Sequence, residues 1–317
     1  MYPLLFNENL FTLVWGHENW IVSAVHDKES TVANGSLRGA TLSQLTYECG
    51  SKLMGQKVVD MYGEQFPLLI KFIDARDDLS IQVHPNDELA MQRHGSLGKT
   101  EMWFVIDAEP GAKLYSGFNQ AITKYEYQKR VEDGSICEVL QSHPVKRGDV
   151  FFIPAGRVHA ICGGIYLAEV QQSSDITYRI FDYNRPGLDG RPRQLHTELA
   201  VDAIDYRLYP TYKTQYLEKI NKPVAITECP YFTVKIHNIT RPFHRKLFKY
   251  DSFIIYICLG GDCIIRMRDR SLEVVDVELR KGQSCLVPAS CADFDLVPDN
   301  EAGVAELLEV YIDNKHF

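Results

Sequence analysis

Four residues able to bind a metal ion lie in two short stretches and at one strand opening. In "LSIQVHPND" (residues 79–87), Gln82 and His84 are two residues apart, and "EMWFVIDA" opens on Glu101. Successive strand side chains point to opposite faces, so Gln82 and His84 share one face while Ile81 and Val83 share the other. Pro85 ends that ladder, and Asn86 or Asp87 can cap the helical run that follows. In "KRGDVFFIPAGRVHA" (residues 146–160), Gly148 permits the turn into a strand, Pro154 turns the chain out of it, and His159 follows at its mouth. Two imidazoles and one carboxylate, with room left for water or substrate, make a catalytic zinc set, to which Gln82 adds a neutral amide oxygen. Taken singly, each histidine reads more simply as a hydrogen-bonded core residue; four ligand types in matched motifs reverse that balance.

The elements that must hold these residues are mostly strands. Short β-branched and aromatic runs, among them "FPLLIKFIDA", "EMWFVIDA", "GDVFFIPAG", "GGIYLAEVQQ", "YFTVKIHNI" and "FIIYICLGG", are punctuated by Gly, Pro and Asn. They predict an all-β-dominated chain built as a sandwich or barrel of jelly-roll type. Helical periodicity is confined to a few runs, from Thr41, Asp87 and Leu195. A weak repeat supports a duplication: "RKGQSCLVPASCADF" (residues 280–294) repeats the Gly–Pro spacing of residues 146–160, with Asp293 where the first copy has His159. The second copy is expected to keep packing and to have lost chemistry. The boundary is placed in "DYRLYPTYKTQYLEKINKP", giving domains 1–212 and 213–317. "PLLIKFIDA" and "GDVFFIP" are assigned to core.

Strand parity also places Lys99 and Ser80, two residues before Glu101 and Gln82, on the ligand face. An ammonium then stands beside the metal, and a serine hydroxyl can donate to an anion. Arg179, in "DITYRIFDY", is a guanidinium able to fork onto an anionic group. For a general base the spacing leaves Lys99, Glu169, Asp175, Asp182 and His17 open, with Glu169 and Gln171 on one face of "IYLAEVQQ".

The remaining composition narrows the setting. With 34 basic against 42 acidic residues the net charge is −8, which opposes binding to nucleic acid or anionic lipid. An anionic substrate therefore needs a local positive cluster. Eight cysteines without a C-x-x-C pair, and an N-terminus lacking the basic head and apolar run of a signal peptide, read as reduced thiols in the cytoplasm. No apolar run reaches membrane-helix length. No Walker loop or dinucleotide fingerprint is present.

The Gly/Pro/His unit resembles a cupin motif. More specifically, "PLLIKFIDARDDLSIQVHPND", "GKTEMWFV", "GDVFFIPAGRVHA", "VQQSSDITYRIFDYNR" and "RQLHTELA" resemble the short bacterial class of type I mannose-6-phosphate isomerases across most of residues 1–200. The chain departs from that family's "WGG" and "ESWE" with "WGH" and "ENWI" at residues 15–21, outside the ligand set, which makes His17 a possible new site-facing residue. The resemblance implies two cupin β-barrels, the second degenerate. It further implies one Zn²⁺ per chain on Gln82, His84, Glu101 and His159, with Ser80, Lys99 and Arg179 on the substrate phosphate and Lys99 and Arg179 catalytic. The expected partner is a small sugar phosphate, and the chain is a monomer or homodimer. A metal site of this type also suits an Fe(II) oxygenase or a non-catalytic sugar-phosphate sensor. The Gln ligand with Lys99 and Arg179 favours the isomerase, because a dioxygen site has no need of a phosphate clamp.

Overall fold

The computed structural model describes residues 1–268, 272–299 and 303–313. Residues 10–20 and 68–214 form one compact unit; residues 1–9, 21–67 and 215–317 form the other. The chain crosses between them after Thr214, and the N-terminal segments join the C-terminal strands. The units therefore interleave along the chain. Local bonds show why. Leu4–Leu5 pairs antiparallel with Ser284–Val287, and the Asp251 carboxylate accepts from the Gln56 and Lys57 amides, both at 3.1 Å, at the start of the Gln56–Tyr62 helix. Gly55, at φ 91°, is required there, since a Cβ would lie 2.0 Å from the Asp251 carbonyl oxygen.

Each unit is a pair of sheets. In the first, a seven-stranded sheet runs Lys213–Thr214, Val150–Ile153, Glu101–Ala108, Ile165–Gln172, Leu68–Ala75, Gly16–Val22, Leu10–Leu13. Opposite it, a five-stranded sheet runs Tyr178–Phe181, Ile81–Val83, His159–Ile161, Lys113–Phe118, Leu140–Pro144. Trp103, Val105, Phe151 and Leu167 of the larger sheet pack against Leu114 and Ile161 of the smaller one. The second unit repeats the plan with six- and four-stranded sheets sharing a core of Tyr256, Cys258, Leu307, Ile265, Phe294 and Leu296.

The cupin-type, strand-dominated plan is as expected, but the two barrels are not closed. Each sheet is open, ending on an outer strand. Where the chain passes between sheets it does so through turns, such as Pro154 to Arg157, closed by the Arg157 amide on the Pro154 carbonyl at 3.0 Å, so no ladder runs round the corner.

Helices form where caps were legible. Thr41 accepts from the Gln44 amide to start Leu42–Cys49, and Asn86 from the Leu89 amide to start Asp87–His94. The Lys124–Glu132 helix was not anticipated, although Thr123 and Glu126 form a full capping box readable in the sequence. The cysteines are all free thiols. Among the described residues no helix is long and apolar enough to cross a membrane.

Candidate metal centre

The five-stranded sheet sorts its side chains by parity. Arg179, Gln82, His159 and Ser116 are cross-strand partners in one continuous row, so they share a face. Their neighbours Ile81, Val83, Ala160, Tyr178 and Ile180 point the other way, into a cluster with Tyr127 and Ala200 of two helices. The apolar face anchors the sheet outward, which turns the polar row inward. The seven-stranded sheet answers with two inner rows. One is Ile153, Glu101, Gln171; the other is Phe151, Trp103, Glu169, Lys71.

Between these faces His84, Glu101 and His159 converge, their ligand atoms within 4.8 Å of one another. All three are at most 1% exposed. His84 Nδ1 donates to the Ile176 carbonyl at 2.9 Å and His159 Nδ1 to the Arg157 carbonyl at 2.8 Å. A carbonyl can only accept, so both protons sit on Nδ1 and both Nε2 lone pairs face Glu101. The Arg157 carbonyl is itself well held, because its guanidinium lies 4.6 Å from the rings of both Tyr209 and Tyr212.

His84 Nε2 is 3.1 Å from Glu101 Oε1, and His159 Nε2 is 3.8 Å from Glu101 Oε2. Acceptors brought this close repel unless a cation lies among them. The Lys99 ammonium answers that demand here, contacting Glu101 Oε1 and lying 3.2 Å from His84 Nε2. Burial, followed by the charge of Lys99, lowers the pKa of His84. Burial and the neighbouring His84 bring His159 down to about 3. Burial alone would raise Glu101, but Lys99 and His84 outweigh it and hold the carboxyl well below its usual range. The triad is thus two neutral imidazoles and one carboxylate, the protonation state a divalent cation requires.

The other expected site residues divide. Gln82 directs its amide Nε2 to His159 Nε2 at 3.3 Å, with Ser80 Oγ 3.5 Å from its Oε1. Ser80 and Lys99 are buried beside the triad. Arg179 lies one strand beyond Gln82, with Nη1 on the Gln194 carbonyl at 2.8 Å and a buried Nε without a partner. Of the base candidates, Glu169 faces the interior, where Trp103 Nε1 donates to it at 2.9 Å and to Glu101 at 3.1 Å. Asp175 is exposed, and Asp182 is engaged by Arg185 and Arg193. His17 bonds to Thr12 and alternates with Glu18, which faces Lys71, so it points away from the inner rows.

One interior residue had escaped the sequence reading. Lys71, assigned to core within "PLLIKFIDA", is 5% exposed and lies 3.4 Å from Glu169 and 3.8 Å from Glu18. Burial would lower its pKa, but Glu18 and Glu169 raise it. Glu169 is itself raised, by burial and by the charge of Glu101. A lone lysine in an apolar strand was the available signal. Gln171 is fully buried; its Nε2 donates to the Gln172 and Ser174 carbonyls at 2.8 and 2.6 Å, leaving Oε1 unpartnered beside Glu101.

Comparison with known proteins points to one family. A model of the phosphomannose isomerase type I catalytic domain matches residues 16–103, and one of the mannose-6-phosphate isomerase cupin domain matches residues 223–306. Mannose-6-phosphate isomerase ManA of Bacillus subtilis is 38% identical over 293 residues, covering 92% of this chain and 89% of its own. A mannose-6-phosphate isomerase of Streptococcus mutans is 33% identical over 285 residues, covering 90% and 86%. The crystal structure of the mannose 6-phosphate isomerase from Bacillus subtilis superposes with a TM-score of 0.82 at 28% identity, over 98% of this chain and 99% of that one. That of a putative mannosephosphate isomerase from Archaeoglobus fulgidus, at 0.79 and 21% identity over 98% of each chain, shares the fold.

Proposed function

The chain belongs to the type I phosphomannose isomerase family, and from that premise we propose how its own residues interconvert mannose 6-phosphate and fructose 6-phosphate. The observation that carries the reading is the buried His84–Glu101–His159 triad, whose imidazoles are fixed as neutral ligands by backbone carbonyls. Aldose–ketose exchange moves a proton between C1 and C2 through an enediol, and negative charge builds on O1 and O2. A divalent ion, zinc in our reading, held by the triad with the Gln82 amide turned to present its oxygen, supplies Lewis-acid stabilisation of that charge.

The rest falls to the side chains around it. Lys99, already within bonding distance of two ligand atoms, offers a second positive charge and a proton donor at the reacting oxygens. Glu169, buried, held by Trp103 and on the inner row next to that of Glu101, is the carboxylate assigned to carry the carbon-bound proton, and burial and the charge of Glu101 raise its pKa. Arg179 receives the phosphate, assisted by the Ser80 hydroxyl. Burial and the nearby Arg193 lower the Arg179 pKa, and a dianion would relieve that repulsion.

Gln171 presents a carbonyl oxygen that its own bonds hold in place, and this oxygen accepts a substrate hydroxyl. Gln171→Leu is therefore expected to reduce kcat/KM by about tenfold to a hundredfold with metal content unchanged. Unaltered kinetics would remove Gln171 from the site. The reading as a whole is tested by turnover of mannose 6-phosphate before chelation, after it, and after zinc add-back. Reversible loss supports it; folded, zinc-loaded protein without turnover overturns it.

A further inference from the structure

Asp182 follows the Tyr178–Phe181 strand and is 5% exposed, yet two guanidiniums reach it. Arg193 forks across both oxygens, Nε to Oδ2 at 2.7 Å and Nη2 to Oδ1 at 2.6 Å. Arg185 donates to Oδ1 from Nε at 3.0 Å and from Nη2 at 2.9 Å. Burial would raise the carboxyl, but Arg193 and Arg185 hold it below its usual range. Removing either arm would leave a buried charge less well matched, so the carboxylate is a fixed point of the fold.

The two arginines stand at opposite ends of one loop. The chain leaves the strand through Tyr183 and Asn184, at φ 55° and 52°, a costly pair that persists only where the surroundings hold it. It then runs out and back, with Pro186 bridged to Pro192 and the Gly187 amide donating to the Arg191 carbonyl at 2.6 Å. Arg185 enters this excursion and Arg193 leaves it, so one carboxylate closes its base. Packing does little of this work, since no residue from 183 to 199 is buried.

The segment after the closure lies along Arg179. The Gln194 carbonyl accepts from Arg179 Nη1 at 2.8 Å, His196 Nδ1 accepts from the Arg179 amide at 3.1 Å, and the His196 amide donates to the Arg179 carbonyl at 2.7 Å. One guanidinium nitrogen is thereby tied, while the buried Nε keeps no partner. The arms of the clasp also bear on Arg179: after burial, the charge of Arg193 lowers its pKa most, with Asp182 opposing and Arg185 adding to it.

We propose that Asp182 is a positioning residue for the substrate phosphate: by clasping Arg185 and Arg193 it holds residues 194–196 against Arg179, aims that guanidinium, and gathers the positive surround that favours a phosphate dianion over a neutral sugar. This rests on the reading of Arg179 as the group that receives the phosphate. Asp182 itself touches no substrate; its effect passes through Arg179.

Kinetics of the full chain, zinc-loaded, test this. Asp182→Asn keeps the volume and removes the charge; KM for mannose 6-phosphate is expected to rise about tenfold, with kcat within about twofold, zinc content unchanged, and inhibition by inorganic phosphate weakened in step. Asp182→Glu, which restores the charge, is expected to recover part of the loss. Arg179→Ala/Asp182→Asn is expected to be no worse than Arg179→Ala alone, whereas independent residues would multiply their losses. An unchanged KM in Asp182→Asn, a loss carried by kcat alone, or losses that multiply in the double variant overturns the proposal. Should Asp182→Asn fail to fold, Arg193→Met, which cuts one arm, is expected to show the same rise in KM, and an unaltered KM there overturns it. Normal kinetics in Arg179→Ala would sink the phosphate reading and this proposal together; an impaired Arg179→Ala beside a normal Asp182→Asn would sink the clasp alone.

Discussion

Replacing His159 with alanine is expected to empty the metal centre and to lower kcat/KM for mannose 6-phosphate by about 10³- to 10⁴-fold. In the proposed centre His159 supplies one of two neutral imidazole ligands, and its tautomer is fixed by the Arg157 carbonyl at 2.8 Å. Without it, Glu101 and His84 retain only Lys99 as a counter-cation, and a site left with one imidazole, one carboxylate and the Gln82 amide holds a divalent ion far less tightly. The ring is fully buried against Trp103, so alanine also leaves a cavity. Metal content, turnover and melting midpoint should be measured together, with His159→Gln as the variant that refills the volume. A folded variant that kept a full equivalent of zinc and normal turnover would remove His159 from the ligand set.

Arg179→Ala should behave differently, keeping its zinc and losing about a hundredfold in kcat/KM. The side chain is one strand from the nearest ligand row member, Gln82, and touches none of the triad, so metal binding does not depend on it. Its buried Nε has no partner within the fold, and an unmatched donor of that kind is costly unless a ligand takes it up. Arg179→Lys restores charge but not the planar fork and should recover only part of the loss. Inhibition by inorganic phosphate should weaken in parallel with activity. If Arg179→Ala turned over substrate normally, or retained phosphate inhibition while losing activity, the phosphate role would have to be reassigned.

The sequence made the candidate metal centre, which we propose binds the ion, legible because strand parity is local. Gln82 with His84, and Lys99 with Glu101, needed only the two-residue alternation of an extended chain, and Gly148, Pro154 and His159 needed only turn chemistry. Local pattern failed where one residue had two possible readings. Lys71 lies in a strand that is otherwise apolar, and nothing along that strand tells that Glu18 and Glu169 come to face it from either side. His17 illustrates the reverse error: its type suggested a site residue, but alternation with Glu18 turns it outward. In the repeat, spacing pointed to Asp293, whereas register selects Phe294, because one additional residue in the turn after Pro288 shifts the parity.

What the sequence determined by itself was therefore the set of elements and the side of each strand on which a ligand stands. Both follow from backbone periodicity and from the turn preferences of glycine and proline. Tertiary structure alone decided which strands became neighbours, and with that every interaction across the interior. It set Glu101 against two imidazoles and joined Glu101 to Glu169 through one indole. The physical reason is that charge, desolvation and pKa depend on distances through space, and sheet pairing fixes those distances only when residues remote in sequence are brought together.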